Sequence, residues 1–200
     1  AYEHSSFIAH KRIIRRVRLH AYKRLAKTVT PTDHDRPFFE REGISCRKIP
    51  NFAEYVGSQA SSDNRSGERP FKCLSAGRLH YHKGFPRLLE ICGELSATNL
   101  EFKIVGSGPL ESTIQSLIYK NNLSSKVSLM PASQDLGEHL EECDVFLMTS
   151  ITEAAPMVLL EALARGKPVI AYDCPVGPRE IIENDVNGYL IEDGNKKEFI

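Results

Sequence analysis

The stretch VFLMTSITEAAPMVLLEALARGKPVIAY, from Val145 to Tyr172, decides the fold. It opens with an apolar run, Val145 to Thr149, and closes with another, Pro168 to Tyr172, and both suit strands buried on two faces. Between them a helical pattern from Pro156 to Ala164 begins at a proline, which fits a first helical turn, and stops before Gly166. Strand, helix and strand in this order predict a βαβ unit with parallel strands.

The same alternation runs along the chain from Phe71 onward and predicts an α/β fold around a parallel sheet. Further apolar runs predict four more strands, at Lys72–Ala76, Glu101–Val105, Lys126–Met130 and Tyr189–Ile191. Further helical patterns lie between the strands, at Pro86–Leu95, Pro109–Lys120, Gln134–Glu142 and Pro178–Ile182. Asn121 and Asn122 follow the second of these, as expected for residues that end a helix.

Three regions divide the chain. Residues 1–56 hold a helical stretch, a β-type segment at Thr28–Thr30 and a helix near Arg36–Glu42, which are too few elements to close a core. Residues 57–70 are polar and rich in serine and glycine, and they predict a flexible loop at a domain boundary. Residues 71–200 carry the βα pattern, and Lys196–Ile200 reads as the start of a helix, so we expect both chain ends to lie within domains.

The composition favours a water-soluble globular protein, with 41% hydrophobic and 26% charged residues among 200. Basic and acidic residues balance at 26 each, so the global charge indicates neither a nucleic-acid partner nor a strongly acidic one. No apolar run approaches the ~20 residues of a membrane span, and no export signal is visible, so we expect a cytoplasmic protein. The five cysteines lie far apart and favour reduced thiols: Cys46, Cys73, Cys92, Cys143 and Cys174.

Two glutamates flank the start of the Pro156 helix. Glu153 precedes it, and Glu161 lies within it among apolar residues and alanines, so we expect the Glu161 carboxylate to be buried with the helix. A buried carboxylate needs a donor, which a hydroxyl-rich ligand such as a ribose would supply. A structural salt bridge or a charge at the domain surface is the alternative. The free N–H groups at the helix start also form a general site for phosphate.

The segment GRLHYHKG, from Gly77 to Gly84, follows a predicted strand. It places Arg78 and Lys83 at the carboxyl end of that strand, where open α/β sheets bind ligands. Two cations there can hold a diphosphate, or they can be solvated loop residues. His80 and His82 are interpreted as surface loop residues rather than metal ligands.

Two other polar motifs argue against further cofactors. GSGPLE, from Gly106 to Glu111, has glycines that would let the backbone approach a ligand, but Glu111 stands where a dinucleotide fingerprint needs glycine. Asp33-His34-Asp35 has the form of a D-x-D metal motif, but an Asp before a helix is ordinarily a cap. We therefore expect neither a nicotinamide cofactor nor a metal.

A basic segment lies near the N-terminus, at His10–Lys27. Ile13, Val17, Ala21 and Leu25 recur every four residues, so one face of a helix can be buried while the rest is basic. Such a helix suits an anionic membrane surface, and a solvated helix face is the alternative.

Taken together, these motifs resemble the retaining glycosyltransferases of family four, which have the GT-B fold of two Rossmann-like domains. The resemblance rests on GRLxxxKG, GSGPL, the Glu153 and Glu161 pair, GKPVIAYDCPVGPREII at 166–182 and NGYL at 187–190. Glu3-His4, VTPTD at 29–33 and IPNF at 49–52 resemble the end of a first domain and its crossover. Residues 1–56 would then end the N-terminal, acceptor-side domain, and residues 71–200 would bind the nucleotide sugar.

The resemblance implies a role for each candidate residue. Arg78 and Lys83 would hold the donor diphosphate, Glu161 the ribose and Glu153 the hydroxyls of the transferred sugar. Three further groups would contact the donor: Gly106, the backbone of Pro156, Met157 and Val158 at the distal phosphate, and His4 at the sugar. Ala154 stands where many members have glycine, which bears on sugar selectivity.

The implied reaction moves a hexose or N-acetylhexosamine from a UDP-sugar to a lipid-linked or polysaccharide acceptor, with retention and without a metal. Among family members, the sequence is most similar to bacterial enzymes that build surface polysaccharides, which implies action at the inner face of the plasma membrane. Two alternatives remain: a nucleotide-sugar 2-epimerase-like enzyme of the same architecture, and a non-catalytic fragment that binds nucleotide sugar.

Overall fold

The computed structural model describes residues 12–54 and 69–200, which fall into two compact units, Ala1–Phe52 and Ala53–Ile200. The basic stretch at 10–11, His4 and most of the predicted loop at 57–70 lie outside the described residues. None of the described helices is long and apolar enough to cross a bilayer.

The first unit contains two helices and a two-stranded parallel sheet. Its elements are α1 (Arg12–Tyr22), β1 (Thr28–Thr30), α2 (Arg36–Arg41) and β2 (Cys46–Lys48). The sheet pairs Thr28 with Cys46 and Thr30 with Lys48. The sequence did not predict β2, because three largely polar residues carry no strand periodicity.

The described side chains of the apolar stripe predicted on the basic helix are exposed to solvent. Val17 is 65% exposed, Leu25 is 54% exposed, and the helix ends at Tyr22, before Leu25. The α1 helix instead packs through Tyr22, whose ring meets Phe39 edge-on at 5.6 Å. Because Phe39 is buried, this edge-on contact joins the helix to the core of the first unit.

The second unit is a six-stranded, all-parallel sheet in the order β5-β4-β3-β6-β7-β8. The strands are β3 (Phe71–Ala76), β4 (Leu100–Val105), β5 (Val127–Met130), β6 (Val145–Met148), β7 (Val169–Asp173) and β8 (Gly188–Glu192). All six predicted strands are present, with no end shifted by more than one residue. The predicted α/β class with a parallel sheet is confirmed.

The helices of this unit are α3 (Phe85–Glu94), α4 (Glu111–Lys120), α5 (Gly137–Glu142), α6 (Met157–Leu163) and α7 (Lys196–Phe199). The predicted helix at Pro178–Ile182 was wrong: Pro178–Glu180 is a single 3-10 turn, like Tyr81–Lys83. The predicted helix ends hold, since Asn122 and Gly166 have the left-handed φ values of 55° and 68°.

Two apolar layers enclose the sheet. One joins α3 and α4 to β3 and β4 and includes Leu88, Ile104 and Ile118. The other joins α5 and α6 to β6 and β7 and includes Phe146 and Leu159. All four residues of β6 are buried, as its continuous apolar run predicts for a strand covered on both faces.

Burial also determines the state of the thiols. All five cysteines are free, and desolvation raises the pKa of Cys73, Cys92 and Cys174 to about 12 and that of Cys143 to about 11. Such thiols stay protonated at neutral pH and are poor nucleophiles.

The strand order places a switch point between β3 and β6. From β3 the chain moves outward through β4 and β5, and it then returns to the other side of β3 to form β6, β7 and β8. The loops that leave β3 and β6 therefore diverge, and a crevice opens between them at the carboxyl ends of these strands.

Candidate active site

The predicted charged residues meet at this switch point. Arg78 and Lys83 follow β3, and Glu153 follows β6, so the strand order alone brings GRLHYHKG beside the loop before α6. Lys83 and Glu153 are 70 positions apart in the sequence and touch in the structure.

A three-residue cluster forms the centre of the site. The Nζ of Lys83 donates to Oε1 of Glu153 at 2.7 Å, and the Oγ of Ser150 donates to the same oxygen at 2.6 Å. The Glu153 side chain is only 8% exposed, and that of Lys83 is 25% exposed. Oε2 of Glu153 has no hydrogen-bond partner among the described residues and is not fully shielded from solvent. One oxygen thus accepts two hydrogen bonds, and the other stays available to a further donor.

The two loops are held together by backbone contacts as well. Gly84 has φ 64°, and a Cβ there would overlap the carbonyl oxygen of Thr149, so glycine is required. Thr149 Oγ1 donates to the Gly84 carbonyl at 3.1 Å, and the Ile151 N–H donates to the His82 carbonyl at 2.8 Å. These bonds fix the β3 loop on the β6 loop and so fix Lys83 relative to Glu153.

Arg78 differs from Lys83 in its surroundings. Its side chain is exposed and makes no ion pair or hydrogen bond within the described residues. A guanidinium at the rim of this crevice can bind an anion in a forked arrangement without first breaking another bond.

The expectation that Glu161 is buried was wrong. The α6 helix buries Leu159 and Ala162, three residues apart on one face, and Glu161 lies one position away from Ala162 at the edge of that face. Its side chain is half-buried, and its carboxylate has no partner in the described part of the chain. The Arg165 side chain donates instead to the Glu161 backbone carbonyl, at 3.3 Å.

The start of α6 is built by close packing. Pro156 is buried and precedes the helix in an extended conformation, and no side chain caps the helix. A Cβ on Gly177, which has φ 103°, would collide with the Pro156 ring, so the loop after β7 packs directly on this helix start. That loop is fixed in turn by a forked Arg179–Asp173 pair with bonds of 2.6 and 3.0 Å. Met157 is 37% exposed at the opening of the helix.

The glycines of GSGPL have a packing role that the sequence reading missed. A Cβ on Gly106 would overlap the Gly77 carbonyl oxygen, and one on Gly108 would collide with the Leu79 backbone. Leu79 also exchanges backbone hydrogen bonds with Ser107 and Leu110, each at 3.0 Å. The loop that contains Gly77 and Leu79 therefore makes the close approach to the backbone that these glycines allow.

The D-x-D candidate is neutralised by cations. Asp33 accepts from Lys48 at 3.0 Å and Arg36 at 3.2 Å, and the Lys48 hydrogen bond lowers the pKa of its carboxyl. Asp35 precedes α2 but makes no capping bond with its side chain, so the predicted cap was wrong. Within residues 12–54 and 69–200, no group of three or more His, Cys, Asp or Glu could hold a metal ion.

Comparison with known proteins agrees with this arrangement. Residues 58–200 match the family described as Glycosyl transferases group 1, which covers more than half of the chain. The chain belongs to this glycosyltransferase family.

Relatives of this glycosyltransferase include bacterial glycosyltransferases. It is 29% identical over 180 residues to a glycosyltransferase of Haemophilus influenzae, with 87% of the chain and 49% of the relative covered. It is 29% identical over 194 residues to the amylovoran biosynthesis glycosyltransferase AmsD of Erwinia amylovora, with 95% and 55% covered. The chain thus spans about half the length of these relatives.

Solved structures show the same fold. Staphylococcus aureus TarM in complex with UDP and sugar ligands superposes with a TM-score of 0.82 at 21% identity, covering 100% of this chain and 40% of TarM. Anabaena HepE in complex with UDP gives 0.80 at 22% identity, covering 95% and 56%. The predicted Rossmann-like fold of GT-B type is confirmed.

Cavities border the sheet within the described part of this glycosyltransferase. One, of about 480 Å³, opens at the carboxyl ends of β4 and β5, lined by the GSGPL turn and by Leu129, Met130 and Pro131. The other, of about 250 Å³, lies toward the amino ends of β3, β4 and β5 and includes Lys72 and Lys103. Only the first is on the same side of the sheet as Lys83 and Glu153.

Sequence reading missed Ser150 and the pairing of Lys83 with Glu153. The available signal was the TSITE segment, where a hydroxyl stands three residues before the glutamate. Such a hydroxyl can turn back onto the carboxylate across one tight loop.

Proposed function

We propose that this glycosyltransferase is a retaining enzyme of family four, which moves a hexose or N-acetylhexosamine from a UDP-sugar to a lipid-linked or polysaccharide acceptor. The names of relatives support this, since AmsD is described as acting in amylovoran biosynthesis. The streptococcal GtfA subunit, 32% identical over 139 residues, is described as a UDP-N-acetylglucosamine–peptide transferase. These names favour UDP as the nucleotide and a bacterial glycan as the product.

The placement of Arg78, Lys83 and Glu153 at the β3–β6 switch point carries this proposal. Arg78 and Lys83 take the donor diphosphate, on which negative charge grows as the glycosidic bond breaks. Cations already in position stabilise that growing charge more than the ground state. Departure of UDP within an ion pair and attack from the same face then retain the configuration of the sugar.

The carboxylates of Glu161 and Glu153 bind opposite ends of the nucleotide-sugar donor. Glu161 accepts from the ribose hydroxyls, for which its unpartnered, half-buried carboxylate is suited. Glu153 offers Oε2 to the hydroxyls of the transferred sugar. The backbone from Pro156 to Val158 caps the distal phosphate, His4 reaches the sugar, and Gly106 lies near the nucleotide.

A donor screen on the full-length protein tests the function. Calorimetry with UDP and GDP should give heat with UDP and little with GDP, and labelled UDP-sugars with lipid-linked acceptors should give a retained product. Inversion of the anomeric centre would contradict the retaining mechanism. Interconversion of the nucleotide sugar without transfer would instead support the epimerase alternative.

The reaction needs no divalent metal in this proposal, because Arg78 and Lys83 neutralise the diphosphate and Asp33 is already paired with Lys48 and Arg36. Transfer in excess chelator should match transfer without it. A strict manganese dependence would contradict this and revive Asp33 and Asp35.

The basic helix α1 docks on the anionic inner face of a membrane. Its exposed Ile14 and Val17 lie among cations, including exposed Arg16, so apolar insertion and charge attraction act together. Co-sedimentation of the full-length protein with anionic vesicles should weaken in high salt and when Arg15, Arg16 and Arg18 become glutamine. Equal binding to neutral vesicles would contradict it.

A further inference from the structure

We infer that Ser150 is a positioning residue that holds Glu153 in its sugar-binding orientation while Lys83 turns to the donor diphosphate. This inference rests on the proposed function, and it adds a residue that neither the sequence motifs nor the family comparison assigns. It begins from the two donors that share Oε1 of Glu153.

The bond from Ser150 is short and sealed from water. Its Oγ lies 2.6 Å from Oε1, and Ser150 itself is only 1% exposed. A hydrogen bond from a neutral hydroxyl to a carboxylate in such a site is about twice as strong as a bond between neutral groups. The bond therefore fixes the rotamer of Glu153.

Ser150 is itself anchored on both sides. Thr149 before it donates to the Gly84 carbonyl, and Ile151 after it donates its N–H to the His82 carbonyl. These two bonds restrain the serine backbone against movement when a ligand enters the crevice. Its hydroxyl is a donor at a fixed position.

Of the two donors to Glu153, Lys83 is the one that can exchange its partner. Its side chain is 25% exposed and lies in the loop that also carries Arg78. A diphosphate entering this crevice competes with Glu153 for that ammonium, because it carries more negative charge than one carboxylate. Ser150 is neutral, so the charge of the diphosphate does not attract it. Its hydrogen bond therefore keeps Glu153 in place when the Lys83–Glu153 ion pair loosens.

The geometry also determines which oxygen meets the sugar. Both donors occupy Oε1, which leaves Oε2 to accept from a hydroxyl. Without Ser150, Glu153 has no donor on Oε1 once Lys83 turns to the diphosphate, so its side chain can leave this orientation and the sugar contact is lost although the UDP contacts survive. Loss of Ser150 should therefore act on the sugar and not on UDP.

The test uses the full-length protein as wild type, Ser150→Ala, Ser150→Thr, Glu153→Gln and the double variant Ser150→Ala/Glu153→Gln. Ser75→Ala is the matched control, since Ser75 is a buried serine on β3 without a bond to Glu153. Calorimetry measures affinity for UDP and for UDP-glucose and UDP-N-acetylglucosamine. Steady-state kinetics measures kcat and KM for transfer.

Ser150→Ala should bind UDP as the wild type does, lose the extra affinity that the sugar confers, and lower kcat roughly ten- to a hundredfold. Ser150→Thr keeps the hydroxyl and should recover most of kcat. The double variant should be no slower than Glu153→Gln alone, because Ser150 acts only through that carboxylate.

Three outcomes would overturn the inference. Ser150→Ala could behave like Ser75→Ala while Glu153→Gln is impaired, the double variant could be slower by the product of both effects, or Ser150→Ala could lose UDP binding. A wild type that neither binds UDP nor transfers sugar would overturn the proposed function, and this inference with it.

Discussion

An ion pair lies at each end of the strand pair β3 and β6. The two pairs have similar chemistry, but they differ in how many of the carboxylate oxygens accept a hydrogen bond. At the amino end, Arg69 pairs with Asp144. At the carboxyl end, Lys83 pairs with Glu153. In each pair a cation flanking β3 binds a carboxylate flanking β6, and the carboxylate is less than a tenth exposed.

The amino-end pair is complete. Arg69 donates to both oxygens of Asp144, at 2.6 and 2.9 Å, and the backbone N–H of Lys72 donates to one of them at 2.8 Å. The Asp144 N–H returns a bond to the Lys72 carbonyl. With both oxygens satisfied by neighbours, this carboxylate can only clamp the strands.

The carboxyl-end pair is incomplete. Both donors to Glu153 fall on one oxygen, and the other has no partner in the described residues. Because this oxygen is not fully shielded from solvent, it remains open to a hydrogen bond from a ligand hydroxyl. We therefore expect the amino-end pair to be structural and the carboxyl-end pair to bind a ligand.

Removing the charge of the incomplete pair should have the largest effect on the reaction. We expect Glu153→Gln to lower transfer by about 10² to 10³, the range for loss of a group that stabilises a transition state. UDP affinity should not fall, because Glu153 contacts only the sugar and its neutralisation leaves the Lys83 ammonium free for the diphosphate. Transfer rates beside UDP calorimetry measure both, and a loss of UDP affinity as large as the loss of rate would place Glu153 on the nucleotide.

Substitutions of the two cations should differ in their effect on thermal stability. Arg78→Ala and Lys83→Ala should each weaken UDP modestly and slow transfer by roughly tenfold or more. Only Lys83→Ala should also lower the melting temperature, because it leaves Glu153 with a single donor, whereas Arg78 has no partner to lose. Thermal melts of both variants decide this, and equal destabilisation would remove the distinction between them.

Glu161 should act on the nucleotide alone. Glu161→Gln keeps the helix shape and weakens a charge-assisted bond to ribose by about 1.5 to 3 kcal/mol, which lowers UDP affinity by roughly ten- to a hundredfold. Stability should hold, since the carboxylate has no partner within the described chain. Calorimetry with UDP tests this assignment. If Glu161→Gln bound UDP normally while Glu153→Gln did not, the two roles would be exchanged.

The complete pair should affect stability and nothing else. Asp144→Asn removes the charge and one acceptor beside the Lys72 N–H, so we expect the free energy of unfolding to fall by about 1 to 3 kcal/mol. UDP affinity at 25 °C should be unchanged. Denaturant unfolding beside calorimetry separates these effects, and weaker UDP binding in the folded variant would contradict the division between the two ends.

The sequence by itself determined the order and type of the elements from Phe71 onward. Continuous apolar runs such as Val145–Thr149, separated by helical patterns with proline starts, are local signals, and local signals survive without tertiary context. They also placed Arg78 and Lys83 after a strand. Short or polar elements escaped: Cys46–Lys48 forms a strand only because β1 pairs with it, and Pro178–Glu180 is too short a turn to continue as a helix.

Only the tertiary structure decided the site's contacts. Lys83 meets Glu153 because strand order makes β3 and β6 neighbours, and no periodicity encodes the neighbour of a strand. Glu161 stays half-buried because α6 turns Leu159 and Ala162 inward, and Gly106 faces the Gly77 carbonyl because two loops pack closely. Which groups end up satisfied depends on contacts between segments distant in sequence, and those contacts exist only after the chain has folded.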